Sequence, residues 1–103
     1  MGTTVFSGVI LEELLKNNRY EVVMVVTQPD RPFGRKRELK PPYVKEMALK
    51  HQLSVFQPEK LNDHAEKIAA VKPDVIVTCA YGQIVSQEIL DIPTYQSINV
   101  HAS

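Results

Sequence analysis

Residues 75–80 read VIVTCA, a run of mostly apolar and β-branched side chains that is typical of a strand covered on both faces. The polar turn at residues 81–83, YGQ, ends this run. Residues 20–27, YEVVMVVT, form a second run of the same kind, and Pro29 stops it. These two runs predict the central strands of a sheet.

Apolar residues at helical spacing lie between and around the two runs. Helices are expected over about ten residues near 9–15, and over 44–51, 65–71 and 86–90, the third capped by Asn62 or Asp63 and the fourth by Ser86. A short strand is expected at 53–57. The alternation of strands and helices predicts an α/β fold, a Rossmann-like, mainly parallel sheet flanked by helices.

The last seven residues, 97–103, predict a final strand of this sheet. Alternation would turn Ile98, Val100 and Ala102 toward a core, while Asn99 and His101 share the other face. In open parallel sheets, ligands bind at the carboxyl ends of the strands. Asn99 and His101 are therefore candidate functional residues, although such a pair can also end a strand as inert hydrogen-bonding groups.

Composition limits the class of protein. The chain has 103 residues, 44% of them hydrophobic, which fits one small domain. Twelve basic and twelve acidic residues cancel, so no overall charge marks a membrane or nucleic-acid binder. Cys79 is the single cysteine, and its apolar surroundings predict a small buried side chain in a reducing compartment. We find no signal peptide or membrane-spanning stretch, which predicts a cytoplasmic protein.

Residues 28–42 form a segment with four prolines and no periodicity, for which no regular structure is expected. Residues 30–45 contain six basic and two acidic residues, which gives a local charge of +4 on a neutral chain. Such a loop is either a solvated surface segment or an arm that meets phosphate groups.

Other site types find little support. Asp63, His64 and Glu66 do not have the spacing of a metal site, so no metal is predicted. The four glycines are scattered, so dinucleotide binding in the usual α/β manner is not expected either.

Four stretches, in this order and at these separations, resemble the amino-terminal catalytic domain of the methionyl-tRNA formyltransferases over essentially the whole chain. They are Gly2-Thr3 with Phe6-Ser7, residues 25–32 (VVTQPDRP) with Gly34-Arg35 and Lys40-Pro41-Pro42, residues 80–84 (AYGQI), and residues 98–103 (INVHAS). Departures from the family pattern occur at Thr4-Val5 and at Tyr43.

The resemblance implies formyl transfer from 10-formyltetrahydrofolate to methionyl initiator tRNA, with no metal. It implies that Asn99 and His101 are catalytic, and that the tRNA acceptor stem is held by the basic residues Arg31, Arg35, Lys36, Arg37 and Lys40. The folate co-substrate would be bound by Ser103 and by the turn residues Tyr81, Gly82 and Gln83.

The same resemblance implies that residues 1–103 are one partial catalytic domain. A first strand, the chain beyond Ser103 and a catalytic Asp of the family are not in this sequence, so we expect an incomplete sheet, marginal stability and an inactive fragment. Two alternatives remain open. One is a formyltransferase acting on a small acceptor such as glycinamide ribonucleotide or an amino-sugar nucleotide, and the other is a non-catalytic binding module.

Overall fold

The computed structural model describes residues 1–33, 38–40 and 42–100, and for residues 31–33 and 38–40 it describes the backbone alone. The helices are α1 (Val5–Lys16), α2 (Tyr43–Lys50), α3 (Ala65–Ala70) and α4 (Gln87–Leu90), with a 3-10 turn at Leu61–Asp63. The strands are β1 (Val25–Val26), β2 (Arg31–Phe33), β3 (Glu38–Lys40), β4 (Val55–Phe56), β5 (Val75–Cys79) and β6 (Gln96–Val100). The predicted α/β class is confirmed.

Parallel strand pairs are joined through the first two residues of the chain. β1 pairs with β4, and β5 pairs with β6, both in parallel. The Gly2 N–H donates to the Val26 carbonyl at 2.9 Å, and the Cys79 N–H donates to the Met1 carbonyl at 2.8 Å. Gly2 also forms an isolated parallel bridge with Cys79. The backbone at Met1–Gly2 therefore links the two strand pairs.

Two apolar clusters lie on opposite faces of these strands. Neighbouring Val25 and Val26 belong to different clusters, since alternate strand residues point to opposite faces. The first cluster contains Val26, Leu61, Ile68, Ile76, Tyr81 and Ile89, and the second contains Leu11, Val25, Val44 and Ala48. β1 is thus covered on both faces. Of the strand predicted over residues 20–27, only Val25–Val26 is confirmed, and Tyr20 and Val23 before it are exposed. Cys79 is buried as well, which confirms the prediction for its side chain.

Two helix starts differ from the sequence-based expectation. α1 begins at Val5, earlier than expected, because the Thr4 hydroxyl caps it by accepting from the Ser7 N–H. α3 begins after His64 without a side-chain cap. The prediction that Asn62 or Asp63 caps α3 is wrong, because the Asn62 amide bonds instead to the backbone at residues 84–86. The Ser86 cap of α4 is confirmed.

The proline-rich segment has more regular structure than expected. β2 and β3 pair in antiparallel register, with Arg31 opposite Lys40, Pro32 opposite Leu39 and Phe33 opposite Glu38. The expectation of a segment without regular structure is therefore wrong. A two-stranded ribbon has free edges on both sides, so it tolerates a proline that cannot donate to a ladder.

The start of this hairpin is held by Asp30, the residue before β2. Its carboxylate accepts from the Gln57 amide at 2.7 Å and forms an ion pair with the Lys45 ammonium at 3.2 Å. The hydrogen bond from Gln57 is the main cause that lowers the pKa of Asp30, the Lys45 contacts add to it, and partial burial opposes both. The end of β4 and helix α2 thus fix the foot of the hairpin.

One expected core position is exposed. Ile98 lies on the face of β6 opposite Asn99, as alternation predicts, but 40% of its surface is accessible. It borders a cavity of about 690 Å³ whose lining also includes residues 22–26 of the β1 region and 75–77 of β5. The prediction of a buried Ile98 is wrong because this cavity leaves its face of β6 uncovered.

The core predicts a large effect for Leu61→Ala. Leu61 is fully buried, so removal of its isobutyl group leaves a cavity and should cost about 2–5 kcal/mol of unfolding free energy. Leu49→Ala is the matched control, since Leu49 is 55% exposed on α2 and should change stability by about 0.5 kcal/mol or less. Urea unfolding followed by circular dichroism measures both, and equal losses would contradict this core.

The Asp30 carboxylate predicts a pH dependence of stability. Because its folded pKa lies below the ordinary value of 3.8, its contribution is present above pH 3.8 and is lost as pH falls through the folded pKa. Asp30→Asn keeps the shape and an acceptor for Gln57 but removes the charge that pairs with Lys45. We expect the difference in urea midpoint between the two proteins to shrink as pH falls from 6 to 3. A constant difference, or an equal loss in the exposed control Glu59→Gln, would contradict the assignment.

Candidate active site

A cavity of about 720 Å³ lies on one face of the β5–β6 pair, between α4 and the turn that follows β5. Thr78 and Asn99 form part of its lining and are direct register partners on the two strands. The remaining lining residues come from the turn, from α4 and from the segment before β6: Gln83, Ile84, Val85, Gln87, Leu90, Asp91, Pro93 and Tyr95–Ile98. Its position near the carboxyl ends of parallel strands is where α/β folds bind ligands.

Asn99 is placed in this cavity by strand alternation and by a neighbouring hydrogen bond. Ser97 lies two residues earlier on the same face, and its hydroxyl donates to the Leu90 carbonyl at 2.7 Å. This bond ties β6 to the end of α4. The Asn99 side chain is exposed, so its amide can donate to or accept from a ligand in the cavity.

Thr78 is a site residue that the sequence analysis missed. Its hydroxyl oxygen is buried and has no hydrogen-bond partner among the described residues. A buried hydroxyl without a partner is unfavourable by about 1–3 kcal/mol, so this group beside the cavity calls for an explanation. One feature of the sequence could have indicated Thr78, because it is the single polar side chain of β5. Its pairing with Asn99 follows only from the strand register.

Tyr81 contributes its backbone to the turn and its ring to the core. The side chain is 2% exposed, and burial raises the pKa of its hydroxyl to about 12. The Tyr81 carbonyl accepts from the Thr3 hydroxyl at 2.7 Å. The Tyr81 hydroxyl, like that of Thr78, is buried without a partner among the described residues, but Tyr81 is not part of the cavity lining. Its ring packs in the first apolar cluster.

Gly82 and Gln83 complete the turn. Gly82 has a φ of +99°, and a Cβ there would lie 2.8 Å from the Gln28 amide nitrogen, so both conformation and space favour glycine. Gln83 lines the cavity, but its side chain bonds inward to three groups of the protein. Ile84 follows with 89% of its surface exposed, and the sequence analysis did not single it out as a site residue.

Several predicted site residues lie outside the described part of the chain. These are His101 and Ser103 at the end of the last strand, and Arg35, Lys36 and Arg37 between β2 and β3. For Arg31 and Lys40 the backbone register places the two residues opposite each other. Their roles stay predictions.

The described residues were also compared with the requirements for metal ions and membranes. Within residues 1–33, 38–40 and 42–100, no three His, Cys, Asp or Glu residues are grouped so that they could hold a metal ion. No helix in the same ranges has the length and apolar character needed to cross a bilayer.

Comparisons with known proteins show the family of the chain. The formyl transferase family matches residues 1–103. The chain is 58% identical to a methionyl-tRNA formyltransferase of Bacillus subtilis and 54% identical to one of Alkaliphilus metalliredigens, with all of this chain and 33% of each relative covered. A methionyl-tRNA formyltransferase of Mesoplasma florum is 53% identical over 99% of the chain. The chain spans about a third of the length of these curated relatives. It belongs to the formyl transferase family.

Proposed function

We propose that this chain forms part of an enzyme that transfers a formyl group from 10-formyltetrahydrofolate to the amino group of methionyl initiator tRNA. The observation that supports this most directly is the cavity that Asn99 shares with Gln83 and Ile84. Its volume of about 720 Å³ is in the range of pockets that bind molecules of drug size. The names of the relatives favour methionyl-tRNA as the acceptor.

The reaction forms one carbon–nitrogen bond at the formyl carbon and breaks another. The neutral amine of the methionyl group forms a bond to this carbon, and the bond from the carbon to the folate nitrogen breaks. The attacking nitrogen loses a proton and the departing folate nitrogen gains one. Negative charge develops on the formyl oxygen in between, so a donor placed there lowers the barrier.

Asn99 is the proposed donor. Its carboxamide is exposed in the cavity and carries two N–H groups, so it can donate to the formyl oxygen as charge develops. We assign His101 the management of the proton, because an imidazole ordinarily gains and loses a proton near neutral pH. Both roles follow the family resemblance.

The turn after β5 is the proposed folate contact. Tyr81, Gly82 and Gln83 would act through backbone groups, since the Tyr81 ring is buried and the Gln83 amide is bonded within the protein. The exposed Ile84 side chain adds an apolar surface beside the cavity. Ser103 completes the proposed folate set, and no residue is assigned to a metal.

The basic hairpin is the proposed tRNA contact, through Arg31, Arg35, Lys36, Arg37 and Lys40. Arginine and lysine bind phosphate through charge, and a hairpin fixed at Asp30 presents several of them on one segment. A small acceptor does not require such an arm.

We further propose that the described strands belong to a Rossmann-like sheet. That residues 1–103 alone are inactive stays a prediction.

Substitution of Asn99 tests the catalytic assignment. The assay uses a chimera in which residues 1–103 replace the matching segment of the Bacillus subtilis relative. Asn99→Ala should lower kcat by about 10²–10³-fold, because one oxyanion donor is lost, while tetrahydrofolate binding is retained. Thr94→Ala is the control, since Thr94 is exposed and is not part of the cavity lining. A kcat for Asn99→Ala equal to that of the control would remove Asn99 from the mechanism.

The acceptor is tested with the same chimera and two substrates, methionyl initiator tRNA and glycinamide ribonucleotide. We expect a higher KM for tRNA in the triple variant Arg35→Ala, Lys36→Ala, Arg37→Ala. This KM should also depend less on salt concentration, because fewer phosphates are contacted. Tetrahydrofolate binding should not change. A control removes three exposed cations away from the hairpin, Arg19, Lys50 and Lys60. Unchanged tRNA kinetics in the first triple variant, or formylation of the small acceptor alone, would reject the tRNA proposal.

A further inference from the structure

The Gln83 side chain uses both ends of its amide within the protein. Its nitrogen donates to the Gln28 side-chain oxygen at 2.9 Å and to the Pro58 carbonyl at 3.1 Å. Its oxygen accepts from the Leu61 N–H at 2.9 Å. Leu61 is fully buried and Pro58 is buried, so two of the three partners are rigid parts of the core. The third partner, Gln28, lies on the segment that leads from β1 into the hairpin.

Gln28 connects in turn to the foot of the hairpin. Its carbonyl accepts from the Gln57 amide nitrogen at 3.1 Å, and the same nitrogen donates to the Asp30 carboxylate at 2.7 Å. Asp30 precedes β2 and is paired with Lys45 of α2. A continuous series of hydrogen bonds therefore runs from the cavity turn, through Gln28 and Gln57, to the first residue of the hairpin foot.

The two glutamines lie in different parts of the protein. Gln83 lines the cavity, whereas Gln28 is not part of the cavity lining. The Gln28 side chain also lies against the turn, since a Cβ at Gly82 would be 2.8 Å from its side-chain nitrogen. A change of position at either glutamine must then be transmitted to the other or break their bond.

We propose that the Gln83–Gln28 hydrogen bond positions the cavity turn and the basic hairpin relative to each other, so that binding of folate at one and of tRNA at the other are energetically coupled. Both are positioning residues. The proposal rests on the proposed function, because it assigns the turn to folate and the hairpin to tRNA. Because this bond joins the two regions, loss of either glutamine should affect the ligand that it does not approach. Coupling between the two bound ligands is reciprocal.

The decisive experiment uses the chimera described above and a matched pair at position 28. Gln28→Glu keeps an acceptor oxygen for the Gln83 amide, whereas Gln28→Leu removes it at similar size. We expect Gln28→Leu to weaken tetrahydrofolate binding about three- to tenfold in calorimetry, the value of one hydrogen bond, and Gln28→Glu to stay near the unchanged protein. Gln83→Leu also removes the bonds to Pro58 and Leu61, so it should raise KM for tRNA by at least this factor, and the double Leu variant should be no worse than Gln83→Leu alone.

Three results would overturn the proposal: unchanged tetrahydrofolate binding in Gln28→Leu, equal losses in Gln28→Glu and Gln28→Leu, or additive losses in the double variant. Amide hydrogen exchange at residues 82–86 gives a readout that does not depend on substrate. Exchange there should be faster in Gln28→Leu than in Gln28→Glu. Equal exchange also rejects the positioning role of the Gln83–Gln28 hydrogen bond.

Failure of the proposed function is recognised separately. A chimera that formylates glycinamide ribonucleotide but not tRNA rejects the tRNA assignment. The comparison of tetrahydrofolate binding between Gln28→Glu and Gln28→Leu still tests whether the Gln83–Gln28 hydrogen bond positions the cavity turn. If Gln28→Leu does not fold, as judged by its thermal melt, Gln28→Met removes the same acceptor with a more flexible side chain.

Discussion

The backbone hydrogen bonds of Met1 and Gly2 are the constraint on which the rest of the structure depends. They bridge β1 and β5, two strands that have no other direct ladder between them in the described ranges. The bridge requires glycine, since a Cβ at Gly2 would lie 2.5 Å from the Ser7 Cβ and 2.6 Å from the Cys79 carbonyl oxygen. The Ser7 hydroxyl donates to the same carbonyl, so the first turn of α1 is docked onto the end of β5.

Thr3 extends this constraint to both proposed binding regions. Its hydroxyl donates to the Tyr81 carbonyl at 2.7 Å and accepts from the Gln28 N–H at 3.4 Å. One hydroxyl thus holds the cavity turn on one side and the start of the hairpin segment on the other. The Gln83–Gln28 bond repeats this connection with side chains. Because a hydroxyl can donate once and accept twice, Thr3 can make both contacts together without leaving a group unpaired.

The sequence predicted the strands and the face of Asn99 because these depend on local composition and on alternation. The β5 run has the composition of a strand covered on both faces, but its residues 75–77 line the cavity of about 690 Å³ that also borders Ile98. The hairpin was not predictable in the same way, since its pairing is made by backbone groups of a proline-rich segment. Thr78 and Ile84 were missed because a site role depends on register in one case and on turn conformation in the other. Ile98 was assigned to the core from alternation alone, which gives the face of a strand but not what covers it.

The turn that borders the cavity contains two residues with positive φ, and two further ones, Gln52 and Lys72, lie elsewhere in the described part of the chain. Ala80 has a φ of +48° and Gly82 a φ of +99°. The left-handed conformation costs an alanine roughly 1–2 kcal/mol, whereas glycine adopts it freely. The first reversal allows the Tyr81 ring to enter the core, and burial of an aromatic ring offsets the cost at Ala80. The second reversal brings the Gln83 amide onto Leu61 and leaves Ile84 exposed beside the cavity. A strained residue persists only where surrounding contacts hold it. The same contacts that hold this turn also hold the foot of the hairpin, so the geometry of the cavity edge cannot be set independently of the basic segment.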